Sequence, residues 1–232
     1  MTPGSRHRDS SASPPRRSDA ERNRARIIAA GRRVLGRDGL DASMASVARE
    51  AGVGIATILR HFPAKEDLVA AVFADRMDAY ADAVTDALDD PDPWHGFVGY
   101  IETACAMQAA DQGFADVLTM TFPGAKALEK RRAEAYEAMV RLIDRAKATG
   151  RLREDFDPSD LVLIHMANAG VVNATGQAAP DAWRRVVALF IQCFEAPARG
   201  PLPASPDHDA LYQAMLRASP AGTITPEPAR DS

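Results

Sequence analysis

The stretch from Ser43 to Lys65 carries hydroxyl, guanidinium, imidazole and ammonium groups among small side chains. Such groups hydrogen-bond to phosphate oxygens and to base edges, and small residues let a helix approach them closely. The chemistry that this mixture indicates is recognition of double-stranded DNA. The candidate contact residues are Ser43, Gly54, Ala56, Thr57, Leu59, Arg60, His61 and Lys65. For Arg60 the alternative is an ordinary solvated surface arginine.

The spacing within this stretch predicts two helices joined by a tight turn. Ser43 is suited to cap a helix over about 43–51, because its hydroxyl can accept from a free backbone N–H. Gly52 can take the positive φ of the turn, and a second helix follows over about 54–61. The residues that would hold the two helices together are Val47, Val53 and Ile58. This is the spacing of a helix-turn-helix, although a helix, a glycine and another helix also occur in many all-α domains.

Charge is distributed unevenly along the 232 residues, whose formal net charge is −4. Residues 1–65 contain 13 Arg or Lys and 6 Asp or Glu, whereas residues 66–232 contain 15 and 26. A basic end on an acidic body indicates that only that end faces a polyanion. A solvated basic tail would account for the first arginines, but not for the basic helix predicted to follow. Arg16 and Arg17, just before that helix, could follow the phosphate backbone or enter the minor groove.

The run from Gly39 to Val69 resembles the DNA-binding domain of the TetR family of bacterial transcriptional regulators. The residues that carry the resemblance are Gly39-Leu40, Ala48, Gly52-Val53, Thr57, His61-Phe62-Pro63 and Lys65. It covers roughly residues 20–75 and implies an all-α fold, in which a three-helix helix-turn-helix domain precedes a helical bundle for ligand binding and dimerisation. Leu59 stands where the family usually has Tyr, and Ala64 where it often has Ser or Asn.

We expect the chain to divide into four segments. Residues 1–17 form a basic Ser/Pro/Arg-rich arm without regular structure. Residues 18–65 form the DNA-binding domain, whose first helix would be capped by Ser18 together with Glu21. Residues 66–196 form the ligand-binding and dimerisation body. Residues 197–232 form a Pro-rich tail, with a short helix at 207–218 capped by Asp207.

Two helices of the body are apolar on so many sides that they need cover on more than one face. Asp157 and Pro158 are suited to start the first of these helices, near 161–173. Pro180 is suited to start the second, near 180–195. Two such helices from each of two chains would form a four-helix interface. They could instead close the core of a monomer, but the resemblance favours a homodimer.

The resemblance also implies that a small-molecule effector binds in the body and moves the fourth helix, about 66–88, which changes the distance between two recognition helices. The candidate lining residues are Met77, Tyr80, Ile101, Cys105, Phe114, Met139, His165 and Asn168. The Met and aromatic residues among them could equally be plain core. His165 and Asn168 lie one turn apart in an apolar helix, where polar groups need partners. Those partners could be a ligand, other groups of the protein or the second chain.

Other classes of protein are not indicated. The chain has no Glu-x-x-His pair, no phosphate loop and no Gly-x-Ser-x-Gly, so an enzyme is not expected. No Cys/His cluster has zinc spacing, and neither a metal nor a cofactor is expected. Cys105 and Cys193 are expected to be buried free thiols. The longest apolar run, about 12 residues at 161–172, is shorter than the roughly 20 needed to span a membrane.

We therefore predict a cytoplasmic, homodimeric transcriptional regulator, in the first instance a repressor that leaves a palindromic operator when its effector binds. The alternatives are an activator and a DNA-binding protein without an effector. A cavity of a few hundred cubic ångströms in the body would favour an effector.

Overall fold

The computed structural model describes residues 15–218, with side chains from Asp19 onward. Over that range the chain forms ten helices and an isolated β-bridge between Leu152 and Glu195. The helices are α1 (Pro15–Asp38), α2 (Met44–Ala51), α3 (Ile55–His61), α4 (Lys65–Asp89), α5 (Pro93–Ala110), α6 (Gln112–Thr119), α7 (Lys126–Ala148), α8 (Pro158–Thr175), α9 (Ala182–Phe194) and α10 (His208–Ala218). We call α1–α3 the head and α4–α10 the body.

The helix-turn-helix in the head is confirmed. Ser43 Oγ accepts from the backbone N–H of Ser46 at 3.1 Å and so caps α2. Gly52 ends α2 with a φ of 64°, a left-handed conformation that only glycine adopts without a steric penalty. Val47 and Ile58 are buried between the helices, and Val53 packs against the same core. The turn therefore holds α3 at a fixed angle to α2.

Two predicted helix starts are wrong by a few residues. α1 begins at Pro15, so Ser18 lies inside the helix and is not its N-cap. Proline is well tolerated in the first turn of a helix, because a backbone N–H there would have no acceptor within the helix. The backbone of Arg16 and Arg17 belongs to this first turn, but their side chains lie outside the described part of the chain, as do residues 1–14 of the predicted arm. α9 begins at Ala182, because a series of turns keeps Pro180 outside the helix.

The head is joined to the body through α4 and α6. Asp116 of α6 accepts a 2.7 Å hydrogen bond from the backbone N–H of Leu40, at the turn that leads into α2. Gly113 of α6 lies so close to α1 and α4 that a Cβ there would be 2.4 Å from the Leu35 carbonyl oxygen and 2.6 Å from the Phe73 ring. A single hydrophobic core runs from the head into the body. The orientation of the head therefore depends on where α6 lies.

α5 is the central helix of the body and contacts α4, α6, α7, α8 and α9. Asp157 caps α8 with a 2.8 Å bond from the Ser159 N–H, and Pro158 is its first residue, as predicted. Both cysteines are free, but only Cys105 is buried. Cys193 is exposed, contrary to the prediction, because the side of α9 that packs on the body carries Trp183, Val187 and Phe194.

α8 and α9 leave large apolar side chains at the surface. Leu163 of α8 is 39% exposed and Leu189 of α9 is 49% exposed. Within residues 15–218, no helix has the length and apolar composition needed to cross a bilayer.

The tail folds back onto the body through α10. Asp207 Oδ1 accepts from the Asp209 N–H at 2.8 Å, so the predicted cap forms. Leu211 and Met215, one turn apart on α10, are buried. The short helix expected at 207–218 is therefore present and packs on the body.

Candidate nucleic-acid interface and a cavity in the body

α3 buries a single residue, Ile58, and exposes most of the others. Of the predicted contact residues, Gly54, Ala56, Leu59 and Arg60 are exposed, and Thr57 and His61 are half-buried. The hydroxyl, imidazole and guanidinium groups are thus brought together on one short helix with little side-chain bulk at its start. A helix of this kind has the width that the major groove of B-DNA admits.

Ile55 belongs to the same surface, although it is not among the residues predicted from the sequence. Its side chain is 44% exposed, beside Leu59 at 45%. Apolar side chains at a groove-facing position can contact the methyl group of thymine. The sequence carries no signal for this, because the phase of so short a helix cannot be determined from the pattern of its residues.

Several arginines of α1 hold the head together. Arg26 donates to the carbonyl oxygen of Ala51 at 2.8 Å, which satisfies an acceptor at the C-terminal end of α2. Arg33 pairs with Glu50 at 2.7 Å. The basic helix that the charge pattern identified therefore has a structural role as well, and its charge is partly compensated inside the head.

Lys65 and Arg60 differ in how strongly the protein itself engages them. Lys65, the first residue of α4, is half-buried. Burial lowers the pKa of its ammonium group, and the nearby Asp41 and Asp116 act in the opposite direction. Arg60 is exposed, and in the described part of the chain no carboxylate pairs with it. Of the two cations, Arg60 therefore has the larger capacity for a new partner.

A cavity of about 320 Å³ lies in the body, between α4, α6, α7, α8 and α10. Three of the predicted lining residues, Tyr80, Met139 and His165, do line it. The other five lie in the packed core and do not: Met77, Ile101, Cys105, Phe114 and Asn168. The difference arises because α5 does not reach the cavity, and because the sides of α4, α6 and α8 that carry the rest are filled by neighbouring helices.

α10 supplies a wall of the cavity that was not predicted from the sequence. The residues that it contributes are His208, Leu211, Tyr212 and Met215. Leu211 and Met215 are four residues apart, so they share one face of this helix. Nothing in the sequence indicated which part of the body that face would cover.

His165 is fully buried and takes its hydrogen-bond partners from the protein. Its Nδ1 lies 3.2 Å from Gln108 Oε1, which also accepts from Asn168 Nδ2 at 2.9 Å. Its Nε2 lies 3.4 Å from the Tyr80 hydroxyl. Burial, with a smaller contribution from Arg132, lowers the pKa of His165 to about 4. The imidazole is therefore neutral near pH 7.

Replacing His165 should change how stability depends on pH. The folded protein holds this histidine neutral down to about pH 4, whereas the unfolded chain protonates it near pH 6.5. The stability contributed by the neutral imidazole is therefore lost as the pH falls between these values. When the pH is lowered from about 7 to about 5, the free energy of unfolding of the wild type should fall by about 2 kcal/mol more than that of His165→Gln. Urea unfolding at a series of pH values measures this difference.

His95→Gln is the matched control for this experiment. His95 is exposed, and its hydrogen bond to Asp90 raises its pKa. Its contribution to the free energy of unfolding is therefore lost as the pH rises, whereas that of His165 is lost as the pH falls. Parallel curves of unfolding free energy against pH for the wild type and His165→Gln would contradict the assignment of a buried neutral imidazole.

Comparison with protein families gives two matches along the chain. Residues 27–72 match the model for bacterial regulatory proteins of the tetR family. Residues 92–194 match the model for the C-terminal domain of SbtR-like transcriptional regulators. The first match covers most of the head and the start of α4, and the second covers α5–α9. No curated protein sequence matches the chain.

Solved structures share this fold. The fatty acid degradation regulator FadR from Bacillus halodurans is 20% identical, with a TM-score of 0.54 over 75% of this chain and 99% of that one. A transcriptional regulator from Saccharomonospora viridis in complex with choline is 20% identical, with a TM-score of 0.53 over 75% and 98%. A TetR-family regulator from Shewanella sp. PV-4 is 21% identical, with a TM-score of 0.51 over 75% and 98%. Because head and body each match a TetR model and the helices follow that fold, the chain belongs to the TetR family and is a DNA-binding regulator of transcription rather than an enzyme.

Proposed function

We propose that the protein is a homodimeric repressor, which binds a palindromic operator and leaves it when a small molecule enters the body. The observation that carries this proposal is the course of α4. Its first residue, Lys65, follows α3 almost directly, and its Tyr80 forms part of the cavity wall. A ligand that displaces Tyr80 would act on the helix that adjoins the recognition helix.

The cavity also supports an effector over the alternative of a DNA-binding protein without one. A volume of about 320 Å³ lies at the lower end of the range found for small-molecule sites. Repression rather than activation, and a cytoplasmic location, are part of the proposal and are supported by the resemblance to the family. The proposed DNA contacts are the exposed residues of α3 together with Ser43, Lys65, and Arg16 and Arg17 of the arm.

The proposed dimer interface is formed by α8 and α9 of each chain. Leu163 and Leu189 are exposed there, with the half-buried Val186 and Phe190 beside Leu189. Apolar side chains on two adjacent helices are what a four-helix interface between two chains would cover. Such a dimer reads successive major grooves when its recognition helices are roughly 34–36 Å apart.

Leu189→Glu should convert the dimer to a monomer, because it introduces a carboxylate into an apolar interface without a partner charge. With a single helix-turn-helix per particle, affinity for a palindromic operator should fall by on the order of 10²-fold or more. The measurements are sedimentation velocity and fluorescence anisotropy, with an operator selected by the wild type from a random-sequence DNA pool.

Leu202→Glu is the control, since Leu202 is 46% exposed but lies outside α8 and α9. It should leave both the mass of the particle and its DNA affinity unchanged. A Leu189→Glu protein that remains dimeric and binds the operator normally would rule out the interface proposed here.

A further inference from the structure

α10 closes the cavity on one side, and it lies outside the part of the chain that matches a family model. The second of the two models ends at residue 194, before the tail begins. The residues of α10 that line the cavity are His208, Leu211, Tyr212 and Met215. The other walls belong to α4, α6, α7 and α8, which pack on one another. Without α10 the cavity would therefore be open to solvent along this side.

α10 is attached to the body by apolar contacts. Leu211 and Met215 are its buried residues, each 8% exposed, and the ring of His208 lies 6.0 Å from that of Tyr136 on α7. Within residues 15–218, no hydrogen bond or ion pair joins α10 to another helix. A helix of 11 residues is at best marginally stable on its own. Release of two side chains is therefore sufficient to free the whole helix.

The chain just before α10 is, in contrast, fixed to the body by hydrogen bonds. Arg153 Nη2 donates to the carbonyl oxygen of Gly200 at 2.8 Å, and the Leu202 N–H donates to Asp155 Oδ2 at 2.9 Å. Residues 203–207 then run exposed and without regular structure to the start of α10. A helix that leaves the body would therefore remain tethered close to the cavity.

We propose that α10 is a detachable cover of the cavity, which opens about residues 203–207 to admit a small molecule and closes over it. This inference rests on the proposed function only in that the molecule would be the effector. Opening of the cover can be measured without a ligand and without DNA.

A thiol placed inside the cavity reports the opening of the cover. Met139→Cys introduces one at a lining position that is 4% exposed, in a full-length chain that also carries Cys193→Ser to remove the exposed thiol. Cys105 is the reference, because it is fully buried and does not line the cavity. The probe is N-ethylmaleimide, and mass spectrometry separates modification at the two positions. Ser159→Cys, which exchanges only oxygen for sulfur at another lining position, is a second reporter.

The dependence on urea distinguishes opening of the cover from unfolding of the whole protein. Opening of α10 exposes little surface, so the rate at which the introduced thiol is modified should change little at low urea concentrations. Modification of Cys105 requires global unfolding, so its rate should rise steeply with urea. An equally steep dependence at both positions would mean that the cavity opens only when the protein unfolds, and would overturn the proposal.

Met215→Ser should speed modification of the introduced thiol by on the order of tenfold, because it removes one of the two buried contacts of α10. Leu211→Ser should act in the same way. Gln213→Ser is the matched control, with a similar change in helix propensity at an exposed position of α10 that does not line the cavity. It should change the rate by no more than about twofold. Unchanged rates in Met215→Ser and Leu211→Ser would mean that the cavity is reached by another route, and would also overturn the proposal.

The proposed cover and the proposed release from DNA can fail separately. If the introduced thiol is modified through local opening, with the expected dependence on Met215, but no molecule of a compound library lowers operator affinity, release by an effector is wrong and the cover stands. If a small molecule releases the operator while the urea dependence indicates global unfolding alone, the cover is wrong and the proposed function stands.

Discussion

Arg60→Ala should lower the affinity for operator DNA by on the order of 10²-fold. The residue is exposed in the last turn of α3, and within residues 15–218 no carboxylate competes for its charge. A guanidinium bound to a guanine edge or a phosphate contributes about 1–3 kcal/mol, and the proposed dimer would lose two of them. Fluorescence anisotropy with the selected operator, at several salt concentrations, measures both the affinity and its salt dependence.

The salt dependence distinguishes the two contacts that Arg60 could make. If it binds phosphate, the slope of log affinity against log salt should become shallower by about two for the proposed dimer, and binding to all sequences should weaken alike. If it binds a base edge, the slope should change little and discrimination at one position of each half-site should relax.

Two further variants serve as comparisons for Arg60→Ala. Lys65→Ala should weaken binding about equally on all DNA sequences and flatten the salt dependence, by less than a phosphate-binding Arg60 would, because Lys65 is half-buried near Asp41 and Asp116. Arg141→Ala, at an exposed position of the body, should have no effect. Unchanged operator binding by Arg60→Ala would remove Arg60 from the DNA surface, and a flat salt response of the wild type would refute phosphate contacts altogether.

Gly113→Ala should destabilise the protein by about 3 kcal/mol or more. The added Cβ would lie 2.4 Å from the carbonyl oxygen of Leu35 and 2.6 Å from the ring of Phe73. Neither neighbour can move away easily, since one is helix backbone and the other is fully buried. Overpacking of this kind forces shifts of the backbone, here in both the head and the body. Urea unfolding monitored by circular dichroism gives the difference in unfolding free energy.

Gly99→Ala is the matched control, in the middle of α5, where an added Cβ would meet no atom of another helix within 4 Å. Alanine costs less backbone entropy than glycine in a helix, so this variant should be stabilised by about 0.5–1 kcal/mol. If Gly113→Ala were as stable as Gly99→Ala, the close packing of α6 against α1 would be refuted.

Local chemistry made much of the architecture predictable. Ser43, Gly52 and Asp157 each act on backbone groups within a few residues, so their roles in starting or ending helices can be derived from the sequence. The errors at Ser18 and Pro180 are errors of helix boundary, where several residues can serve as the first of a helix.

The cavity was less predictable because its walls come from segments far apart in the chain. Tyr80, Met139 and His165 were identified, but Ile101 and Cys105 look the same in the sequence and lie on a helix that packs elsewhere. Whether an apolar residue faces a void or a neighbour depends on how helices pack, which periodicity does not encode. The part played by Leu211 and Met215 of α10 was missed for the same reason.

α6 is only eight residues long, about 12 Å, yet its two sides reach different parts of the protein. Leu118 belongs to the cavity wall, while Asp116 accepts from the Leu40 N–H at the entrance to α2. A substitution that changes the cavity wall near Leu118 should therefore also disturb the contact between α6 and the helix-turn-helix. If the cavity takes the proposed effector, effector preference and operator preference would be inherited as linked traits in the evolution of such a chain, and occupancy of either site would bias the other by the same factor.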